Sequence, residues 1–458
     1  MLDIPVRFRN WIILGLVSAL MALILLDESV FGPALPTIQS DLGLSRTATH
    51  WVINAYLLVF SSSVALGGKL RDMYGLHVLV GLGGSFFLIG SLLGGASQSE
   101  IMIIIARASQ GLGAGMLYPV VATTITATFP AKQHGMALGV MASTGTTFLA
   151  LGPLLGGVLT EYASWRWVFW FNVPLISAIW CAIALILPHA PITKKTQEKD
   201  WLGLSLLLFG LLLFVYGIME APVGGSAQLL IVAAIPTGLA VLSFFYWFES
   251  KARSPLIDVR VLKNLSITAC CTTTFAAQYC KLTVTIFIAL YCVKVLELSP
   301  LKSGLATFVC VSAAPITAPF AGRIADKYGS RRPVLLGLFI AGTSLFAAAI
   351  CIQHNLLYPT LAVLFIWGIT LPFCYVPSVR LTMNQTTPSK RGEVLGIFGT
   401  ARIMGGTIGI AVSSMILSLT QTYDAVFFTG SSILGLSFLF ALFFMIAKES
   451  EGSSGIKN

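Results

Sequence analysis

Two stretches far apart in the chain, "GKLRDMYGLHVLVGL" (68–82) and "GRIADKYGSRRPVLLGL" (322–338), share one pattern. Gly68, Asp72 and Gly75 match Gly322, Asp326 and Gly329 at a constant offset of about 254 residues. Each stretch is a short basic link between two apolar runs, and each follows the second run of its block. A single copy would carry little, because loops facing the cytoplasm commonly hold glycine and basic residues. Two copies at equivalent places mark an internal duplication, the usual build of secondary transporters, with a pathway between the halves. The glycines suit a tight turn and close helix approach, and each Asp can accept hydrogen bonds from free N–H groups of the following helix.

The blocks joined by these links are made of lipid-soluble segments. Of 458 residues, 56% are hydrophobic and 10% charged, against roughly 25% charged in a soluble domain. The mean hydropathy is +0.87. Apolar runs of about 20 residues, enough to cross roughly 30 Å of hydrocarbon, recur throughout. About fourteen helices are expected, at 11–35, 51–70, 77–97, 100–122, 135–160 and 168–188, then 201–219 and 229–248, then 265–293, 301–320, 333–352, 358–379, 394–418 and 426–447. This is an all-α polytopic membrane protein: a six-helix half (1–190), a central two-helix insert (191–264) and a second six-helix half (265–458). The first run lacks a small-residue cleavage site and reads as an uncleaved spanning helix.

With the N-terminus in the cytoplasm, about twenty Lys and Arg fall in inner loops and about four (Arg46, Arg166, Lys294 and Lys302) in outer ones. That bias places both termini inside and the chain in the cytoplasmic (inner) membrane. It also accounts for the formal net charge of +10 through anionic lipid rather than nucleic acid. The eight cysteines show no CxxC pair and read as small apolar residues. The five histidines lie in loops or at helix ends, with neither HExxH nor a P-loop in the chain. No metal, cofactor or catalytic role is expected, and an ion gradient is the remaining energy source.

By these features the chain resembles the major facilitator superfamily, and within it the fourteen-helix drug:proton antiporter branch. The paired loops resemble that superfamily's signature between its second and third helices. "LDESVFGPALPTI" resembles the branch's first-helix motif, through Leu26, Asp27, Ala34, Leu35, Pro36 and Ile38. "RASQGLGAG" (107–115) resembles the fourth-helix motif and "GTTFLALGPLLGG" (145–157) the fifth-helix motif associated with antiport; "WRWVFWFNVP" (165–174) and "RIMGGTIGIA" (402–411) also fit. Two departures stand out. Met73, Leu76 and His77 occupy places that are commonly basic, where the second loop keeps Lys327, Arg331 and Arg332, and Gly32 and Pro33 replace Asn and Val.

Charge inside a bilayer costs about 2.5–3.5 kcal/mol per residue at a helix centre, so Asp27, Glu28, Arg107, Lys281, Arg380 and Arg402 are all functional candidates. Counting at 1.5 Å per residue puts Asp27 about 12 Å and Arg107 about 10 Å below the outer face, a depth at which they can neutralise each other. Asp27 and Glu28 point about 100° apart around a helix. The resemblance puts the acidic motif position at Asp27, which implies that Asp27 faces the central cavity and handles protons; Glu28 stands where the family varies and is left to tune Asp27 in proton coupling, to contact cargo or to pack. Lys281 lies about 24 Å from the inner helix end, where a ligand or carboxylate contact is expected. Arg402 is implied by the resemblance to pack or gate, and Arg380 is expected to snorkel. The six charges leave an excess of about +2.

Asn54, Tyr56, Gln110, Tyr118, Asn172, Gln278, Tyr279 and Asn384 are candidates for the cavity wall, each weighed against plain helix-to-helix bonding. Gly145, Gly152, Gly156 and Gly157 form a small-residue stripe beside the kinking Pro153; the resemblance implies that it slides during alternating access, with the loop residues Gly68, Asp72, Gly75, Gly322, Asp326, Gly329 and Arg331 gating. The expected function is proton-driven export of small amphipathic molecules, with the lipid bilayer and protons as partners and an accessory export protein left open. Two alternatives stand beside it: the same fold exporting an anionic metabolite such as a siderophore or organic acid, and a membrane sensor that transports nothing.

Overall fold

The computed structural model describes residues 6–130, 133–186, 200–221, 228–252, 255, 258–386 and 391–445, and its regular elements there are all helical. The first set is α1 (Val6–Ser29), α2 (Phe31–Leu42), α3 (Arg46–Tyr74), α4 (Leu76–Gly95), α5 (Glu100–Thr128), α6 (His134–Tyr162), α7 (Trp167–Trp170) and α8 (Asn172–Ile186). A pair follows, α9 (Trp201–Glu220) and α10 (Gln228–Lys251). The last set is α11 (Leu265–Lys294), α12 (Pro300–Ser312), α13 (Ala314–Tyr328), α14 (Arg331–Gln353), α15 (Leu357–Asn384), α16 (Arg391–Thr420) and α17 (Tyr423–Phe444). Each of the fourteen expected segments coincides with one helix or with two in line, and 12 helices among the described residues are long and apolar enough to cross a membrane.

Helices α1 to α8 pack chiefly on one another, as do α11 to α17, while α9 pairs with α10 and touches α3 and α16. The boundary residues 187–199 of the central insert lie outside the described residues. The first helix differs from expectation by running past residue 35. It breaks at Val30, because Pro33 cannot donate to the Ser29 carbonyl, and then continues as α2 to Leu42. The loop to α3 is correspondingly short and turns at Gly43, with φ +61°.

The duplicated loops share one backbone geometry. Gly75 has φ 83°, ψ 169°, and Gly329 has φ 77°, ψ 164°, a region open essentially to glycine alone. Gly329→Ala is therefore expected to cost about 1–3 kcal/mol, read as a lowered midpoint in thermal unfolding of the purified protein. The expected capping by Asp326 is not what is found. Its Oδ1 pairs at 2.9 Å with Arg380 Nε, and Arg380 also donates through Nη1 to the Ala325 carbonyl at 2.6 Å. Arg380 thus reaches the helix end, as expected, and there clamps the loop, because the carboxylate and the freed helix-end carbonyl lie within its reach. Arg331 Nη2 donates to the Leu442 carbonyl at 2.8 Å, tying the same loop to the end of α17. The side chains at Gly68 and Asp72 lie outside the described residues.

The glycine stripe of α6 divides between two partners. A Cβ at Gly145, Gly152 or Gly156 would run into α1, at Leu25, at Ser29, and at the Val30 carbonyl respectively, all within the same set. Only Gly157 of the four faces the other set, against Pro300 and Leu301, and Gly304 of α12 answers it against the Pro153 carbonyl. Most of the expected sliding face is thus fixed packing, because the stripe curves around the helix. The Leu301 N–H closes the contact by donating to Glu161 Oε2 at 2.8 Å. Eighteen residues, or about five turns, inward on this same face, a Cβ at Gly139 would meet nothing within 4 Å among the described residues, and Ala142 is exposed. Along α6 the sets meet at the outer side and part toward the cytoplasm.

Candidate functional site

Asp27 and Glu28 end the unbroken part of the first helix, and their angular separation sends them to opposite sides. Asp27 is fully buried within the first set. Its Oδ2 accepts from Arg107 Nη1 at 2.7 Å, and its Oδ1 accepts from Asn172 Nδ2 at 2.8 Å. The depth match inferred for Asp27 and Arg107 corresponds to this direct contact. Arg107 is held on every side: Nε donates to the Val52 carbonyl at 2.9 Å and Nη1 to Gln110 Oε1 at 2.8 Å. Its guanidinium lies over the rings of Phe31 (4.0 Å) and Tyr56 (4.3 Å), a cation–π sandwich that replaces lost water. Gln110 in turn donates to Ser91 Oγ at 2.9 Å.

The assignment of Asp27 to the cavity face is corrected by this geometry. Asp27, Gln110 and Tyr56 are interior to the first set, and it is Glu28 that crosses to the second. Glu28 Oε1 accepts from Lys281 Nζ at 2.9 Å and from Gln278 Nε2 at 2.8 Å, both on α11. Gln278 Oε1 accepts from the Tyr375 hydroxyl of α15 at 2.8 Å. Lys281 thus meets a carboxylate, as its depth predicts, and that carboxylate is Glu28. Arg402 of α16 interacts electrostatically with Tyr118 of α5, across the two sets, and with Glu28. Asn54 leaves the candidate wall altogether: its Nδ2 reaches Met219 Sδ of α9 at 2.9 Å. A helix longer than expected and an insert helix packed on α3 together turn this side chain away from the other set.

Gly32 and Pro33, the departures from the first-helix motif, have a local explanation. Pro33 produces the break beside the two carboxylates, and a Cβ at Gly32 would sit 2.9 Å from the Thr285 carbonyl, so glycine permits the approach of α2 to α11. Three contributors escaped the sequence reading. Phe31, four residues after Asp27, carried a positional signal; Ser91 and Tyr375 carried none that set them apart from other polar residues in apolar helices.

Two carboxylates, each paired with its own cation and set back to back on one helix beside a break, can couple protonation within one set to contact between sets. Comparison with known proteins identifies the family. The family model of the Major Facilitator Superfamily matches residues 17–314 and 265–457. The chain belongs to the major facilitator superfamily. Among curated relatives of this superfamily member, an uncharacterized MFS-type transporter of Mycobacterium tuberculosis is 32% identical, over 88% of this chain and 70% of its own. The tetracenomycin C resistance and export protein of Streptomyces glaucescens is 26% identical, over 90% and 77%. The puromycin resistance protein of Streptomyces alboniger is 28% identical, over 88% and 81%. A crystal structure of a D-xylose–proton symporter superposes with TM-score 0.69 at 15% identity, covering 96% of this chain and 98% of that one, which speaks to the superfamily fold alone. In the fold of this superfamily member, Asp27 and Arg107 sit inside one set of helices and Glu28 and Lys281 at the meeting of two.

Proposed function

We propose that the protein is a proton-driven exporter that moves small amphipathic molecules out across the cytoplasmic membrane by alternating access. The observation that carries this reading is the buried Asp27–Arg107 pair, an ionisable couple kept inside a membrane protein with each partner hydrogen-bonded. A proton on Asp27 cancels its attraction for Arg107 and leaves a cation without its counter-charge, so the protonated site favours a different arrangement of α1 against α5. Because Glu28 rides on the same turn of α1, that rearrangement also moves its contact with Lys281. The tetracenomycin C resistance and export protein and the puromycin resistance protein among the relatives support export as the direction and drugs as the cargo.

Inverted membrane vesicles with an imposed pH gradient test the assignment. The wild-type protein is expected to accumulate cargo in response to the gradient, and Asp27→Asn to lose that response while equilibrating cargo down its own gradient. Gradient-driven accumulation by Asp27→Asn at wild-type rates would remove Asp27 from the coupling role.

A further inference from the structure

The two charged groups of the site differ in their balance. Asp27 and Arg107 neutralise each other one to one. Glu28, by contrast, pairs with Lys281 of α11 and also feels the charge of Arg402 of α16, with the uncharged Gln278 bonded to it and Tyr375 bonded in turn to Gln278. Counting −1 for Glu28 and +1 each for Lys281 and Arg402 leaves this buried cluster at +1. Arg402 Nη2 is buried with no hydrogen-bond partner among the described residues, so the excess has an address. An uncompensated cation at membrane depth is costly unless something of opposite charge visits it.

We infer that Arg402 and Lys281 form a subsite for an anionic group of the cargo, so that the molecules exported include amphipathic organic monoanions such as aryl carboxylates. This rests on the exporter reading and narrows its cargo. The guanidinium suits a carboxylate because its donors form a planar fork, and its Nη2 has no partner among the described residues. The ammonium of Lys281 has three donors, one of which goes to Glu28 Oε1. A bound monoanion brings the cluster to neutrality. Glu28 then acts as the competitor: it occupies Lys281 when cargo is absent and repels an anion when cargo arrives. The cluster joins α1 and α5 of the first set to α11, α15 and α16 of the second, so an anion held there draws on both sets at once.

Binding to the purified full-length protein in detergent, followed by calorimetry, distinguishes this from a cation site. The probes are 1-naphthoate, its uncharged analogue 1-naphthamide, and the tetraphenylphosphonium cation. Naphthoate is expected to bind at least about tenfold more tightly than naphthamide. Arg402→Gln is expected to weaken naphthoate about tenfold or more, Arg402→Lys to restore part of the loss, and naphthamide to be indifferent to both. Glu28→Gln removes the competing charge and is expected to tighten naphthoate severalfold, an outcome that general damage to the protein does not produce. Should Arg402→Gln fail to fold, Glu28→Gln and Lys281→Gln decide: tightening by the first and weakening by the second support the subsite. Equal binding of acid and amide, or weakening of naphthoate by Glu28→Gln, overturns it, and tetraphenylphosphonium binding that depends on Glu28 with no naphthoate binding assigns the site to cations instead. The same probes in inverted vesicles, with membrane potential clamped, separate the two claims. Gradient-driven accumulation of tetraphenylphosphonium without naphthoate binding sinks the anion subsite alone. Arg402-dependent naphthoate binding with no gradient-driven flux of any probe sinks the exporter reading alone.

Discussion

Arg107→Leu is expected to destabilise the protein by about 3–5 kcal/mol, the cost of removing one member of a buried ion pair and stranding the other. Arg107 Nη1 lies 2.7 Å from Asp27 Oδ2, both side chains are almost wholly shielded from solvent, and the leucine supplies no donor in place of the three that Arg107 offers to Asp27, Gln110 and the Val52 carbonyl. The control is the double variant Asp27→Asn, Arg107→Leu. With no charge left to strand, it is expected to recover most of the loss, because exchanging a whole buried pair for neutral side chains is often close to neutral. Thermal unfolding of the four proteins of this cycle, in one detergent at one pH, gives the ordering. Additive losses in the double variant would mean that the two residues do not act on each other and that their contact has no bearing on coupling.

Gly157→Val is expected to open the protein on its outer side. A Cβ at Gly157 would lie 2.6 Å from the Pro300 carbonyl oxygen and 3.1 Å from Leu301 Cα, both backbone atoms of the opposite set that no rotamer change can move. Overpacking of this kind costs about 1–3 kcal/mol, here charged only to the outward-closed state, so the ratio of outward-open to outward-closed molecules should rise roughly 5- to 150-fold. Lys294 reports on this. It lines an outer cavity of about 240 Å³ with Gln39, Thr49, His50, Leu290, Leu417, Gln421 and Tyr423. Lys294→Cys, in a background freed of the eight native cysteines, is expected to react several times faster with a membrane-impermeant maleimide in intact cells once Gly157→Val is added. Gly156→Val is the contrasting case: its neighbour is the Val30 carbonyl of the same set, so it should lower the unfolding midpoint and leave labelling unchanged. Equal labelling in both variants would show that Gly157 and Pro300 do not gate the outer side.

Membrane architecture was legible in the chain because lipid imposes it locally. A segment either carries some twenty apolar residues or it does not, and basic residues sort by loop. The duplication was legible because a turn with φ near +80° admits essentially glycine, which leaves Gly75 and Gly329 as a readable pair. The depth match between Asp27 and Arg107 followed from helix rise alone. Sequence by itself therefore determined where the apolar segments lie, the repeat, and the list of charges that need partners.

Tertiary structure decided which partner each charge takes. Adjacent carboxylates on one helix look alike in sequence, and only the packing of α5 and α8 on one side of α1 and α11 on the other puts Asp27 inside a set and Glu28 across the boundary. The same holds for Arg380, drawn to Asp326 and a helix-end carbonyl, for Asn54, turned to α9, and for the stripe of α6, three of whose glycines serve α1 and one α12. Depth and periodicity are properties of one helix. Azimuth relative to a neighbour belongs to two, and pairing inside a low-dielectric interior is settled by contacts a few ångströms long between segments up to 253 residues apart in the chain, as for Glu28 and Lys281.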